Sequence, residues 1–251
     1  MATLREAISA DLKNLQNKII KVVSGSDSFE EAAQRYTAAI YEELKDSIVL
    51  IRVFVTIPYG NLPAENKAFV DKLAASKGVS QLVNDQTPVL SLLGTSGVEP
   101  AWNDRKRSQG HVGIPLVSVD FIDAIPMMSR LLRQLGLGLE WIDKEDTKLV
   151  TQTTGRAKGV FWVPDAVTEV DQQVRKIIAA QDFVATYGVK SVFGFGGGYI
   201  GTRTFYVAII FLREAIEKNQ AEQFAALMSH FKSLTIDSTE GKILDIFPRN
   251  S

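Results

Sequence analysis

The chain carries two histidines, His111 and His230, and no cysteine. The missing thiols exclude disulfides, thiolate nucleophiles, zinc–thiolate and iron–sulfur centres and thioether-linked cofactors. Two histidines far apart in sequence make a poor metal site, so no metal is expected. What remains is binding chemistry. Arg52 interrupts the apolar run Ile48-Val49-Leu50-Ile51-Arg52-Val53-Phe54-Val55-Thr56-Ile57. A guanidinium stays protonated and needs acceptors, and burying a charge without them is costly. Arg52 therefore reads either as a clamp for a carboxylate or phosphate or as half of a structural pair with an internal acid.

A second group lies within one irregular stretch. Trp102, Asp104, Arg105, Arg107, Ser108 and His111 combine an aromatic plate, forked cations, an acid, a hydroxyl and an imidazole. Loops with such a mix are often binding elements. Trp102 can stack on a planar ligand, Arg105 can hold an anion and His111 can hydrogen-bond it. The competing reading is a solvated loop anchored by its Trp. The candidate ligand-binding residues are thus Arg52, Trp102, Asp104, Arg105, Ser108 and His111, with no catalytic residue. His230, beside an apolar stripe, reads as structural or surface-exposed.

Several other patterns fail their chemistry. Gly194-Phe195-Gly196-Gly197-Gly198-Tyr199-Ile200-Gly201 has Tyr at the sixth position of a dinucleotide fingerprint and is followed by a strand, not a helix. Its glycines read as turn-formers. Ser108, Ser118 and Ser129 sit in no Gly-x-Ser-x-Gly elbow. Trp141 and Trp162 read as packing residues.

The elements that must position these groups follow from periodicity. Residues 4–23 place Leu4, Ile8, Leu12, Leu15, Ile19 and Val22 on one helical stripe. Asp27 or Ser28 caps a second helix through Ala33, Tyr36, Ile40 and Leu44. Residues 48–57 form a central strand, 66–75 a helix, and 89–93 a short strand closed by Gly94-Thr95-Ser96-Gly97. Residues 98–118 are irregular. A helix is expected over 121–135, strands over 139–142 and 159–163, and a long helix over 167–187 stopped by Gly188. A glycine-linked strand pair over 189–212 precedes an amphipathic helix over 220–234 bearing Phe224, Leu227, Met228, Phe231 and Leu234.

At 251 residues and 45% apolar content, the chain suits one globular domain. Its 28 basic and 29 acidic residues give a net charge of −1, so no broad field draws it to nucleic acid or to an anionic membrane. The clean apolar run 205–212 is far shorter than the roughly 20 residues of a spanning helix. The amino terminus lacks an apolar signal region, and a cytoplasmic protein is expected.

In its order of elements the chain resembles the GAF domain. The texture is closest in Tyr187-Gly188-Val189-Lys190-Ser191-Val192-Phe193-Gly194-Phe195, in Phe205-Tyr206-Val207-Ala208-Ile209-Ile210-Phe211 and in the helix after Ala221. Leu93-Gly94-Thr95, Glu99-Pro100, Gly110-His111, Gly113-Ile114-Pro115-Leu116 and Gln181-Asp182-Phe183 resemble motifs of enlarged GAF-type sensors in bacterial signalling proteins. The resemblance implies an α+β fold with a central antiparallel sheet. Amino- and carboxy-terminal helices would cover one face, and a ligand pocket with irregular loops the other. It implies one domain over 1–251, with a dimerisation-type helix over 1–23, a core over 24–236 and a tail over 237–251. A small-molecule sensory module without an attached output domain follows, acting as a homodimer through its terminal helices and on a separate signalling partner. The stripes on those helices also suit simple packing on their own sheet.

Some activities of the resembling family do not carry over. Its methionine sulfoxide reductases and its covalent bilin carriers need cysteine. Its cyclic-nucleotide class pairs an Asn-Lys with a downstream Asp-Glu; Asn66-Lys67 is present here, but no Asp-Glu follows. The ligand and any cofactor stay unidentified. Two further readings remain open: an enzyme using Arg52, Trp102, Asp104, Arg105 and His111, with His111 as general acid or base, and a scaffold with a functional dimer surface.

Overall fold

The computed structural model describes residues 4, 12–108, 110–137, 139, 141–142, 159–199, 202, 204–228, 230–235 and 243–244; the side chains of 227 and 228 are not described. Six strands, β1 (Ile48–Pro58), β2 (Pro88–Gly97), β3 (Gly113–Pro115), β4 (Val160–Val163), β5 (Ser191–Gly198) and β6 (Phe205–Leu212), pair antiparallel in the order β3-β2-β1-β6-β5-β4. β1 and β6 lie at the centre, and both are almost entirely buried, which is why they read as continuous apolar runs.

Alternation along β1 and β6 divides two cores. Ile51, Val53, Val55, Ala208, Ile210 and Leu212 pack with helices α1 (Leu12–Val23), α2 (Phe29–Leu44), α7 (Lys218–Met228) and α8 (His230–Leu234). Leu50, Phe54, Val207, Ile209 and Phe211 face the other way, toward α4 (Val119–Asp123), α5 (Pro126–Gln134) and α6 (Gln181–Tyr187). Helix α3 (Ala64–Ser76) packs beside β3. Amino- and carboxy-terminal helices thus share one face of an antiparallel α+β sheet, as expected. On that face Phe231 meets Phe29, Tyr36 and Tyr206 at ring distances of 5.6, 4.4 and 5.3 Å. The stripe Leu12, Leu15, Ile19 and Val23 is buried in the chain's own core. Ser28 caps α2 by accepting the Glu31 amide at 3.1 Å.

Several elements differ from the pattern-based reading, each for a local reason. The segment Gly94-Thr95-Ser96-Gly97 does not close β2 but belongs to it. A bulge opposite Val53 and Phe54 places Leu93 and Gly94 together on the helical face. A side chain at Gly94 would lie 2.3 Å from the Ala33 carbonyl oxygen, so the glycine admits α2 onto the sheet. The glycines read as a turn after Phe195 likewise extend β5 to Gly198, and a Cβ at Gly196 would meet the Tyr206 carbonyl oxygen at 2.3 Å.

The helix expected over 121–135 is two, because Pro126 lacks an amide hydrogen and forces Ile125 out of helical geometry (φ −117°, ψ 91°). The long helix expected over 167–187 survives only as α6, ended by Gly188 at φ 65°. Upstream, the Asp165 carboxylate accepts the amides of Val167 and Thr168, and Asp171 accepts those of Gln173 and Arg175. These side-chain turns compete with a helix, and Val174 adopts φ 61° in the second of them. β3 lies within the stretch read as irregular. The carboxy-terminal helix is described as α7 and α8. The strand expected over 139–142 falls partly outside the described residues; Trp141 and Ile142 form a turn. Among the described residues no helix is long and apolar enough to cross a membrane.

Candidate functional site

On the face away from the terminal helices the sheet is incompletely covered. A cavity of about 310 Å³ lies there, with Leu50, Arg52 and Phe54 of β1, Ile209 and Phe211 of β6 and Leu90 of β2 among its lining. Opposite them stand Ile125 to Met128 at the start of α5 and the strap Ile177-Ile178-Ala179-Ala180 that leads into α6. Trp102, Gly110 and His111 border it from the loop, and Phe183 from α6. Trp102 meets Phe183 and Tyr187 edge-on at 5.7 and 4.8 Å, and Phe183 meets Phe211 at 5.3 Å. The wall is therefore aromatic on one side and aliphatic on the other.

Arg52 brings the charge. Paired across the sheet with Thr95 and Ile209, it occupies the middle of the central strand, so its backbone is fixed by ladders on both sides. One guanidinium nitrogen, Nη2, donates to Ser108 Oγ at 2.9 Å, and Nε is shut off from solvent. A Cβ at Gly110 would sit 3.7 Å from Nη1, so the loop passes directly over the guanidinium. Burial pushes the pKa of Arg52 down to about 10. Beside Arg52 in the sheet, Thr95 is fully buried, and its hydroxyl has no hydrogen-bond partner among the described residues.

His111 stands at the rim, with its outer edge in solvent. Crowding of its inner side, and then the Arg52 charge, push its pKa below the ordinary imidazole value. It is neutral at pH 7, able to donate one hydrogen bond and accept another. Among the nineteen described residues that line the cavity, Arg52 and His111 bear a basic side chain and none is acidic.

The structure thus brings Arg52, Trp102 and His111 to one cavity, with Ser108 supporting the guanidinium. It does not bring Asp104 or Arg105 there. Asp104 caps a short 3-10 turn by accepting the Lys106 amide at 2.9 Å. Arg105 turns into the core between loop and α2, where its Nε and Nη2 donate to the two Glu30 oxygens at 2.6 and 2.9 Å. Both side chains are nearly buried, so this forked pair is a structural clamp. An arginine paired with an internal acid is thus found at position 105.

A second, polar concavity of about 580 Å³ lies beyond the first, sharing Pro126 and Ile177 with it. Its three arginines each meet an acid: Arg130 with Glu169 at 2.9 Å, Arg133 with Asp123 at 3.1 Å and Arg175 with Asp171 at 2.6 Å. The other residues singled out have structural partners. Ser129 donates to Asp123 and Ser118 caps α4. Trp141 and Trp162 donate to the carbonyls of Leu137 and Ile216. His230, exposed on α8, lies within hydrogen-bond reach of Gln16. Among the described residues no group of three or more His, Asp or Glu is placed to hold a metal.

The strap 177–180 and Phe183 were not legible as site residues. One signal was available: four consecutive apolar residues, Ile177-Ile178-Ala179-Ala180, do not fit the one-sided pattern of a surface helix.

Compared by sequence, the chain matches no family model and no curated protein. Compared by structure, it is similar to the phycoerythrobilin-bound GAF domain of a cyanobacterial phytochrome, with 12% identity, 92% of this chain and 97% of that chain covered, and a TM-score of 0.49. It is similar to another solved GAF domain at 13% identity, covering 95% and 92%, with a TM-score of 0.45. It is also similar to the GAF domain of an Acinetobacter phosphoenolpyruvate-protein phosphotransferase, at 10% identity, covering 90% and 94%, with a TM-score of 0.43.

Proposed function

We propose that this chain is a small-molecule receptor of the sensory kind, with the cavity under the 102–111 loop as its ligand site. The observation that carries this is a void of about 310 Å³ holding a strand-borne arginine in an otherwise largely apolar lining. The volume lies at the lower end of the roughly 300–1,000 Å³ of small-molecule sites. Arg52, Trp102, Ser108 and His111 are the polar and aromatic contacts of this reading. Asp104 and Arg105 shape the loop.

Signal transfer has a physical route in the sheet. Leu50, Arg52 and Phe54 face the cavity side, while Ile51, Val53 and Val55 of the same strand pack against the terminal helices. A displacement of β1 on binding therefore repacks both faces. Because the α1 stripe is consumed by the chain's own core, the proposed homodimer uses the outward faces of the terminal helices. A separate signalling partner completes this reading.

The test is mass spectrometry of small molecules released from the gently unfolded protein, followed by a thermal-shift screen of wild type against Ile209→Phe. This variant adds a ring to the cavity floor beside Arg52. A compound that raises the melting temperature of wild type but not of Ile209→Phe is the expected result. A screen with no stabilising compound, or one whose hits act equally on the variant, overturns the assignment.

A further inference from the structure

The cavity has two unlike parts. Arg52, Gly110 and His111 stand together under the loop, and the other sixteen described lining residues have apolar side chains. The backbone of that apolar part is also committed to bonds within the chain. At the start of α5 the Ile125 carbonyl accepts the amides of Met128 and Ser129, and Pro126 has no amide hydrogen. In the strap, the Ile178 carbonyl accepts from the Gln181 side chain. The Ala179 and Ala180 carbonyls accept the amides of Gln181 and Val184, and the Ile177 amide donates to the Glu169 carbonyl.

A hydroxyl or amide buried against these walls would give up water without gaining a protein partner, which is costly. Hydrocarbon placed there is stabilised in proportion to the apolar area removed from water. The side chains suit such a body. Met127 and Met128 are adaptable thioethers on one side, and Trp102, Phe183 and Phe211 present rings on the other.

Resting on the receptor reading, we infer that the ligand is a small hydrophobic molecule whose alkyl or aryl body lies between the β1–β6 floor and the 177–180 strap. Its affinity comes mainly from that body. Whatever polar head it carries points toward the loop.

A series of constant head and growing body tests this on the intact chain at pH 7.5: 1-butanol, 1-hexanol and 1-octanol. Hexane-1,6-diol is the polar-tailed counterpart, and 3-phenylpropan-1-ol and 3-phenylpropionate are the ring-bearing probes. Binding is read by thermal shift and by quenching of tryptophan fluorescence. Affinity is expected to rise about fourfold per methylene, the worth of one buried CH2. The diol is expected to bind about tenfold or more weaker than 1-hexanol, and both ring-bearing probes tighter than 1-butanol. In Ile209→Phe the rise should stop at a shorter chain. The wild-type comparison of 1-hexanol with the diol stands even where that variant fails to fold.

Affinity that is level with chain length, a diol that binds as well as 1-hexanol, or ring-bearing probes both weaker than 1-butanol overturn the ligand class and leave the receptor reading intact. A rise unchanged in Ile209→Phe puts the hydrocarbon elsewhere and also overturns it. If no probe binds while the broader screen finds a stabilising compound, the class again falls alone. If neither finds one, both fall.

Discussion

Arg105, within the 102–111 loop, and Arg52, in the strand beneath it, have different electrostatic situations. Arg105 is gripped by both oxygens of Glu30 in a nearly buried fork. Arg52 donates to a neutral hydroxyl, lines a cavity whose described residues include no acid, and has its pKa pushed down to about 10 by burial. The first arrangement is complete in itself and ties the loop to α2. The second sets a buried cation, held by Ser108, against the wall of a cavity.

The largest expected effect belongs to the completed pair. Arg105→Ala removes the forked partner of the nearly buried Glu30, so urea denaturation should show a loss of about 3 kcal/mol. Anion binding, measured on the folded fraction, should change little. Arg52→Met reverses this pattern. Carboxylate affinity should fall about 30-fold, the worth of a charged hydrogen bond of about 2 kcal/mol. Stability should move by less than about 1 kcal/mol, since a poorly solvated cation is replaced by an apolar chain of similar length.

The polar concavity provides a third case, with matched charges that are partly in solvent. Glu169→Gln should cost less than about 1 kcal/mol in a thermal melt and leave anion affinity unchanged. A marked loss of binding in that variant would place the ligand in the wrong concavity.

The smallest effects near neutrality are those of pH. Carboxylate affinity should be level from about pH 7.5 to 9, because Arg52 keeps its charge across that range. On the acid side, the lowered pKa of His111 means that the unfolded chain, titrating near 6.5, takes up the proton first. The His111 contribution to stability is therefore full above about 6.5 and is lost as pH falls through that value. A bound anion should raise the His111 pKa, which an NMR titration with and without 3-phenylpropionate would show.

Much of this architecture was legible in the residues. The apolar run around Arg52, the capped α2 and the strand pair ending at Phe211 each follow from periodicity and local chemistry. Arg52, Trp102 and His111, which line one cavity, could be named as candidates because charge, ring and imidazole stood in otherwise apolar or irregular surroundings. Three things could not be read. The fate of Arg105 depends on Glu30, 75 positions away, which only the packing of α2 on β2 brings within reach. The strap 177–180 was hidden by an apparent helix that Asp165 and Asp171 dissolve into turns. Gly94 and Gly196 resembled turn residues, whereas each answers a carbonyl oxygen on a neighbouring element.

The contrast between the two arginines can be observed directly through their Nε–H resonances in a ¹H–¹⁵N correlation spectrum, assigned by Arg52→Lys and Arg105→Lys. On titration with 3-phenylpropionate, the Arg52 signal should move saturably while that of Arg105 stays in place. Movement at Arg105 alone, or at neither, would contradict the assignment of the Arg52 cavity as the small-molecule site.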